Sequence, residues 1–249
     1  MKNKVVLITG ATSGLGAAAA KAFAAQGAKV VFCGRRSAKG LAIEAEIRIK
    51  GGESTFIQTD VTQEEQVAHL VAETVRLYGS PDIAFNNAGA NLYFGPLENM
   101  SSEQFMTNIQ LNLTGIFHAM KYEIIAMKQT GGSIINMAST AGVKGVGQGI
   151  SAYVAAKHGV IGLTKAAALE QARNQIRINA LVVSAMATEQ WLDGVNKTRG
   201  LYEKIAAGMP NGKIATVNDI IPFITFLASD QAQFITGAAL AIDGGVTAG

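Results

Sequence analysis

The run Ser151-Ala152-Tyr153-Val154-Ala155-Ala156-Lys157 places a phenol and an ammonium four residues apart. In a helix that spacing puts both on one face. An isolated phenol titrates at about pH 10. A cation beside it favours phenolate and brings that value toward a range useful for acid/base work. Alone, a Tyr-x-x-x-Lys pair is more often a piece of helix surface, so the weight rests on its companions. Ser139, in Asn136-Met137-Ala138-Ser139-Thr140, follows an apolar run, and its hydroxyl is suited to binding a substrate oxygen beside Tyr153. Asn112 lies between Leu111 and Leu113, where a lone amide destabilises a core unless something inside uses it. Holding an ordered water on a proton relay to Lys157 is such a use. Asn112, Ser139, Tyr153 and Lys157 form the candidate catalytic set, and no metal is expected.

A second constellation suits a dinucleotide. Thr9-Gly10-Ala11-Thr12-Ser13-Gly14-Leu15-Gly16 follows the first apolar run and opens an alanine-rich stretch. Glycines there let the backbone turn sharply and approach a pyrophosphate, whose charge a helix N-terminus favours. The spacing G-x-x-x-G-x-G differs from the standard G-x-G-x-x-G fingerprint, so the pattern takes its meaning from its place between strand and helix. Gly10, Thr12, Ser13, Gly14, Leu15 and Gly16 are the expected cofactor contacts. After the second apolar run comes Cys33-Gly34-Arg35-Arg36, without the acid that would hold the ribose of NAD. A guanidinium can take a 2′-phosphate in a bidentate way. The expected cofactor is therefore NADP(H), with Arg35 the first choice of partner and Arg36 the second, and NAD(H) left open. Asp60 and Val61 follow the third run; the Asp60 carboxylate can accept a bond from an adenine amino group or simply cap the next helix. In Asn86-Asn87-Ala88-Gly89 the small residues let a ring or ribose approach the backbone, while the amides tie adjacent strands. An ordinary turn is the alternative reading.

These side chains need elements to hold them. Short apolar runs at 5–9, 29–33, 54–59, 83–86, 133–137, 178–183 and 239–242 alternate with helical patterns such as 14–26, 63–78, 106–128 and 153–173. That alternation predicts an α/β fold, a Rossmann-like doubly wound parallel sheet of about seven strands with helices on both faces. An eight-stranded barrel would need one strand more and would leave the phosphate loop unexplained. Residues 1–249 read as a single dinucleotide-binding and catalytic domain, with 188–210 a helical substrate flap. Right-handed crossovers bring the carboxyl ends of the strands to one edge, where ligands of such sheets bind.

Composition narrows the partners. With 49% hydrophobic and 16% charged residues and a net charge of +3, the chain suits a compact protein with a large core. It has no dense Lys/Arg block for nucleic acid. Cys33 is the sole cysteine, which excludes an intramolecular disulfide and reads as a buried structural thiol. No apolar stretch is long enough to span a bilayer, so the expected location is cytoplasmic and no membrane partner is expected.

Taken together, Thr9-Gly10-x-x-x-Gly14-x-Gly16, Asp60, Asn86-Asn87-Ala88-Gly89, Asn112, Ser139, Tyr153-x-x-x-Lys157 and Ile242-Asp243-Gly244-Gly245 resemble the short-chain dehydrogenase/reductase family along essentially the whole chain. The resemblance implies that Tyr153 exchanges a proton with the substrate oxygen. It implies that Ser139 orients the carbonyl, and that Lys157 binds the nicotinamide ribose and depresses the tyrosine pKa. Asn112 would anchor a relay water. It also implies a homotetramer, with the last strand and the C-terminus near subunit interfaces. Many members carry Pro-Gly where this chain has Val183-Ser184, and then a threonine that meets the nicotinamide carboxamide; Thr188 keeps that place.

The flap and the loop after Gly89 supply Asn91, Leu92, Tyr93, Phe94, Val143, Val146, Met186, Trp191 and Leu192 as pocket candidates. Such a lining favours a hydrophobic ketone or secondary alcohol. A rival within the same chemistry is a 3-oxoacyl-thioester reductase, whose acidic carrier protein would want a basic patch; Lys121, Lys128 and Arg173 are scattered. A non-enzymatic NADP-binding regulator would not need Ser139, Tyr153 and Lys157 together.

Overall fold

The computed structural model describes residues 1–147 and 149–249. Seven strands form: β1 (Val5–Thr9), β2 (Lys29–Gly34), β3 (Glu53–Gln58), β4 (Ile83–Asn86), β5 (Gly132–Met137), β6 (Ile176–Val183) and β7 (Ala239–Ile242). They lie in the order β3-β2-β1-β4-β5-β6-β7, every pair parallel. β1 is buried at every position, as a strand covered on both faces must be. The order reverses between β1 and β4, which opens a crevice at their carboxyl ends.

Between the strands run α1 (Gly14–Ala25), α2 (Ser37–Ile49), α3 (Glu64–Tyr78), α4 (Ser102–Ile109), α5 (Gly115–Met127), α6 (Ser151–Gln171), α7 (Glu189–Val195), α8 (Leu201–Ala207) and α9 (Val217–Ala228). One core joins Phe23 of α1, Ile47 of α2 and Ile220, Ile224 and Leu227 of α9 to the sheet. On the opposite face, Val67 and Leu70 of α3, Ile116 and Met120 of α5 and Val160 of α6 do the same. Each such side chain contributes about 1.5–3 kcal/mol by leaving water, so both layers are firmly seated.

One element departs from the sequence reading. The helix expected over 106–128 starts earlier, at a capping box between Ser101 and Gln104. It is then interrupted by a π-helical turn, Gln110–Thr114, before α5 begins. A π turn accommodates an extra residue, and Asn112 stands at its centre, wholly buried. α9 carries Pro222 in its interior, normally a helix-breaking signal. The helix forms because Thr216 and Asp219 cap it and its apolar face has a sheet to cover. The expected flap is helical as α7 and α8, with Met186 bridged to Ala215 at its neck.

Candidate active site

The glycine loop is fastened to β4 before any ligand enters. Thr9 Oγ1 accepts from the backbone N–H groups of Asn87 at 3.1 Å and Ala88 at 3.2 Å. The Asn87 amide donates to the carbonyls of Thr9 and Gly10. Gly10 has φ +68°, and a Cβ there would stand 2.6 Å from Ala88 Cα, so only glycine fits. Leu15 is buried in the core rather than turned to the cleft, so any cofactor contact it makes is through its backbone. Thr12 and Ser13 instead meet Arg36, whose Nη2 donates to Thr12 Oγ1 at 2.9 Å and Ser13 Oγ at 2.6 Å.

The two arginines make different contacts. Arg36 spans the glycine loop, while Arg35 points toward Asp60, with Nη1 3.9 Å from its carboxylate. The capping role considered for Asp60 is also corrected: α3 has Gln63 as its N-cap. Asp60 Oδ1 accepts from the N–H and hydroxyl of Thr62, at 3.0 and 2.8 Å, which shapes the loop before the helix. Val61 is buried, and its carbonyl meets His118 Nδ1 at 3.1 Å.

Across the crevice, β5 ends and the chain turns through Thr140–Gly142, with Ser139 as N-cap accepting from Ala141 N–H at 3.1 Å. α6 begins at Ser151 and carries Tyr153 and Lys157 on one face, the ammonium lying 5.5 Å from the ring centroid. Lys157 is 2% exposed, and its Nζ donates to the Met137 carbonyl at 2.7 Å. Burial lowers its pKa to about 8. Gly89, open to the cleft, lies between the groups: a Cβ there would be 2.9 Å from Asn112 Oδ1 and 3.4 Å from Lys157 Nζ. Four of the predicted residues thus converge.

Two of these groups have further contacts. Burial raises the Tyr153 pKa, and hydrogen bonding to the Ser139 hydroxyl opposes that shift. The Lys157 ammonium lies over the ring and bonds a backbone carbonyl. The Asn112 side chain holds three hydrogen bonds. Its amide donates to the carbonyls of Ala90 and Asn108, at 2.8 and 3.0 Å, and its Oδ1 accepts from Ala90 N–H. It fixes the loop beside Gly89.

At the β6 side, the strand continues through Val183, which pairs with Ile242. Proline in that position could not donate to a ladder, so the replacement extends the sheet. Ser184 Oγ is buried with no hydrogen-bond partner. Thr188 caps α7, and its methyl would be 3.2 Å from a Gly14 Cβ, so the flap reaches the glycine loop. The loop after Gly89 is held by Leu92 N–H to Asn108 Oδ1 and by Gly95 N–H to the Gly149 carbonyl. Leu92, Phe94 and Val143 remain exposed, whereas Trp191 meets Tyr202 edge-on.

Sequence reading missed Glu123, fully buried on α5 and bonded to Asn86. A signal existed: 116, 120, 123 and 127 follow helical spacing, and the other three are core residues. The expected amide tie between strands is present as Asn86 to Asn136, 3.0 Å.

A family model described as enoyl-(acyl carrier protein) reductase matches residues 10–247. The 2,5-dichloro-2,5-cyclohexadiene-1,4-diol dehydrogenase of Sphingobium indicum is 38% identical over 250 residues, covering 100% of this chain and 98% of its own. The cyclohexanol dehydrogenase of Acinetobacter sp. strain SE19 is 38% identical, covering 98% and 95%. Among solved structures, levodione reductase superposes with TM-score 0.94 at 34% identity, over 100% and 99% of the two chains. An actinorhodin polyketide ketoreductase with NADPH gives 0.93 at 31%, over 98% and 97%. An NAD+-bound xylitol dehydrogenase gives 0.92 at 32%, over 98% and 99%. The chain belongs to the short-chain dehydrogenase/reductase family and is an oxidoreductase of its alcohol dehydrogenase and ketoreductase kind.

Proposed function

We propose that this protein transfers a hydride between NADP(H) and a hydrophobic ketone or secondary alcohol, with Tyr153 as general acid/base. The observation that carries the reading is the convergence of Tyr153, Ser139 and Lys157 around Gly89, on the edge shared with the glycine loop. Two relatives are named for cyclohexanol and for a cyclohexadiene diol, so within this class we favour six-membered alicyclic alcohols and ketones.

The residues fit a nicotinamide dinucleotide. Gly10, Thr12, Ser13, Gly14 and Gly16 lead the backbone into the N-terminus of α1, which favours a pyrophosphate. Arg36 presents its fork beside Thr12 and Ser13, with no acid at the end of β2. A 2′-phosphate suits that fork, with Arg35 flanking it, so NADP(H) is preferred and NAD(H) is the alternative. Asp60, Val61, Asn87, Ala88 and Thr188 complete the expected contacts. When bound, the nicotinamide supplies or takes the hydride. Tyr153 donates its proton to the carbonyl oxygen in reduction and accepts one in oxidation, while Ser139 holds the same oxygen. Lys157 orients the ribose and replenishes the proton, fed by a water at Asn112. A panel of ring ketones and alcohols, followed at the nicotinamide absorbance with each cofactor, tests the reading. Turnover with NADPH at lower KM than with NADH is expected. A clear NADH preference would sink the Arg36 assignment, and no turnover of any ring substrate would sink the substrate class.

A second reading is a 3-oxoacyl-thioester reductase acting on a carrier protein, which shares its carrier, though not its reaction, with the family model's description. Lys121 is occupied by Glu64 at 2.6 Å, which weakens the case for a docking patch. Higher activity on a carrier-linked thioester than on ring ketones would reverse the order. A cytoplasmic homotetramer completes the proposal, with exposed Ile125, Leu169 and Phe234 as apolar side chains for subunit contact.

A further inference from the structure

Beneath the reacting groups lies a polar cluster that no step above uses. Glu123 is fully buried on α5. Its Oε2 accepts from Asn86 Nδ2 at 2.9 Å, and its Oε1 has no hydrogen-bond partner. Asn86 Nδ2 also donates to Asn136 Oδ1, while Asn86 Oδ1 is likewise unpartnered. Asn136 Nδ2 in turn donates to Thr164 Oγ1 at 2.9 Å and lies 3.1 Å from Met120 Sδ. The cluster therefore joins α5, β4, β5 and α6.

Its ends are where the chemistry is. Asn86 leads directly into Asn87-Ala88-Gly89, the segment that meets Gly10, Asn112 and Lys157. Asn136 is followed by Met137, whose carbonyl accepts from Lys157. Thr164 stands two turns along α6 from Lys157, and both are buried. Strand ends and helix are thus held at a distance that Lys157 then spans. The two unpartnered atoms are both acceptors, so the cluster is one donor short. A proton on Glu123 supplies it.

We infer that Glu123 is a positioning residue that, in its protonated form, sets Lys157 against the ends of β4 and β5 through Asn86, Asn136 and Thr164. Its kinetic consequence rests on the oxidoreductase reading; the geometric one does not. Burial pushes the carboxyl up to about 7, against a smaller opposing effect of the Asn86 bond. The surroundings offer no cation to reverse this among the described residues. β2 brings the Cys33 thiol, itself pushed up to about 12. α3 turns Val67, Leu70, Val71 and Thr74 inward, and α6 brings Thr164, with Lys157 engaged farther along at Met137.

The test compares Glu123→Leu, Glu123→Gln and Thr164→Val in the full chain. Readouts are kcat and KM on a ring ketone with NADPH, and the titration midpoint of the Lys157 amine by 15N NMR. Glu123→Leu and Thr164→Val are expected to lower kcat by about tenfold or more, since small misplacements of reacting groups are costly. KM should hardly change, and the Lys157 midpoint should move. The conservative Glu123→Gln keeps a donor and should retain most of kcat and the original midpoint. Thr164→Val carries the test if the leucine variant does not fold. Unchanged kcat and midpoint in Glu123→Leu and Thr164→Val would overturn the inference, as would a loss of kcat that merely tracks the unfolded fraction. A glutamine variant as impaired as the leucine one would overturn the neutral-acid role. Absence of turnover in every form, wild type included, counts against the oxidoreductase reading instead, and the Lys157 titration then decides the inference by itself.

Discussion

The phenol of Tyr153 is kept protonated by burial, against a partial pull from Ser139, so its resting form is a proton donor. That favours carbonyl reduction, because a general acid must carry its proton at the working pH. Alcohol oxidation needs the phenolate, so its rate should rise with pH, while ketone reduction should fall on the alkaline side. Initial rates in both directions across pH 6–10 (a window of about four units around the phenol's ordinary value) check this, and parallel profiles would contradict it. Removing the hydroxyl is the sharper experiment. Tyr153→Phe should lower kcat by about 10²–10⁴-fold, the usual worth of general acid/base catalysis. NADPH affinity, read by fluorescence titration, should change little. Persistent turnover in that variant would discard the mechanism.

At the level of elements, the site depends on strand ends held together by atoms that leave no room for change. Gly10→Ala forces a residue with φ +68° to carry a Cβ 2.6 Å from the Ala88 backbone. Such strain costs about 1–3 kcal/mol, and the loop would pull away from β4. A lower Tm together with loss of NADPH binding is expected in the alanine variant, and retention of both would show that the loop adapts. Glu123 joins α5 to β4 at a cost that depends on pH. Its folded value of about 7 lies above the ordinary glutamate value of 4.5, so this contribution to stability is complete below the unfolded value and is lost as pH rises through the folded one. By linkage the gap is worth about 3 kcal/mol. Between pH 4.5 and about 7 the urea midpoint of the wild type should fall relative to that of Glu123→Gln. Parallel midpoints would mean that the carboxyl does not titrate in that interval.

For the whole molecule, the exposed apolar side chains are the unsettled feature, since Phe234 is fully exposed and Leu169 nearly so. Light scattering should give a mass near four times the 25.9 kDa of one chain, and Phe234→Glu should shift it downward. A monomeric wild type would refute the tetramer. The sequence by itself determined the alternation of strand and helix, the glycine loop, and the pairing of Tyr153 with Lys157, because each rests on short-range periodicity or backbone need. It left the separate contacts of the two arginines, the π turn at Asn112, the helix around Pro222 and the burial of Glu123 to the tertiary structure. Those depend on what lies across the crevice or beneath the sheet. Arg36 reaches Thr12, 24 positions away in the chain, and Asn86 reaches Asn136, 50 positions away. Such contacts leave no local pattern, and only the packing of distant elements creates them.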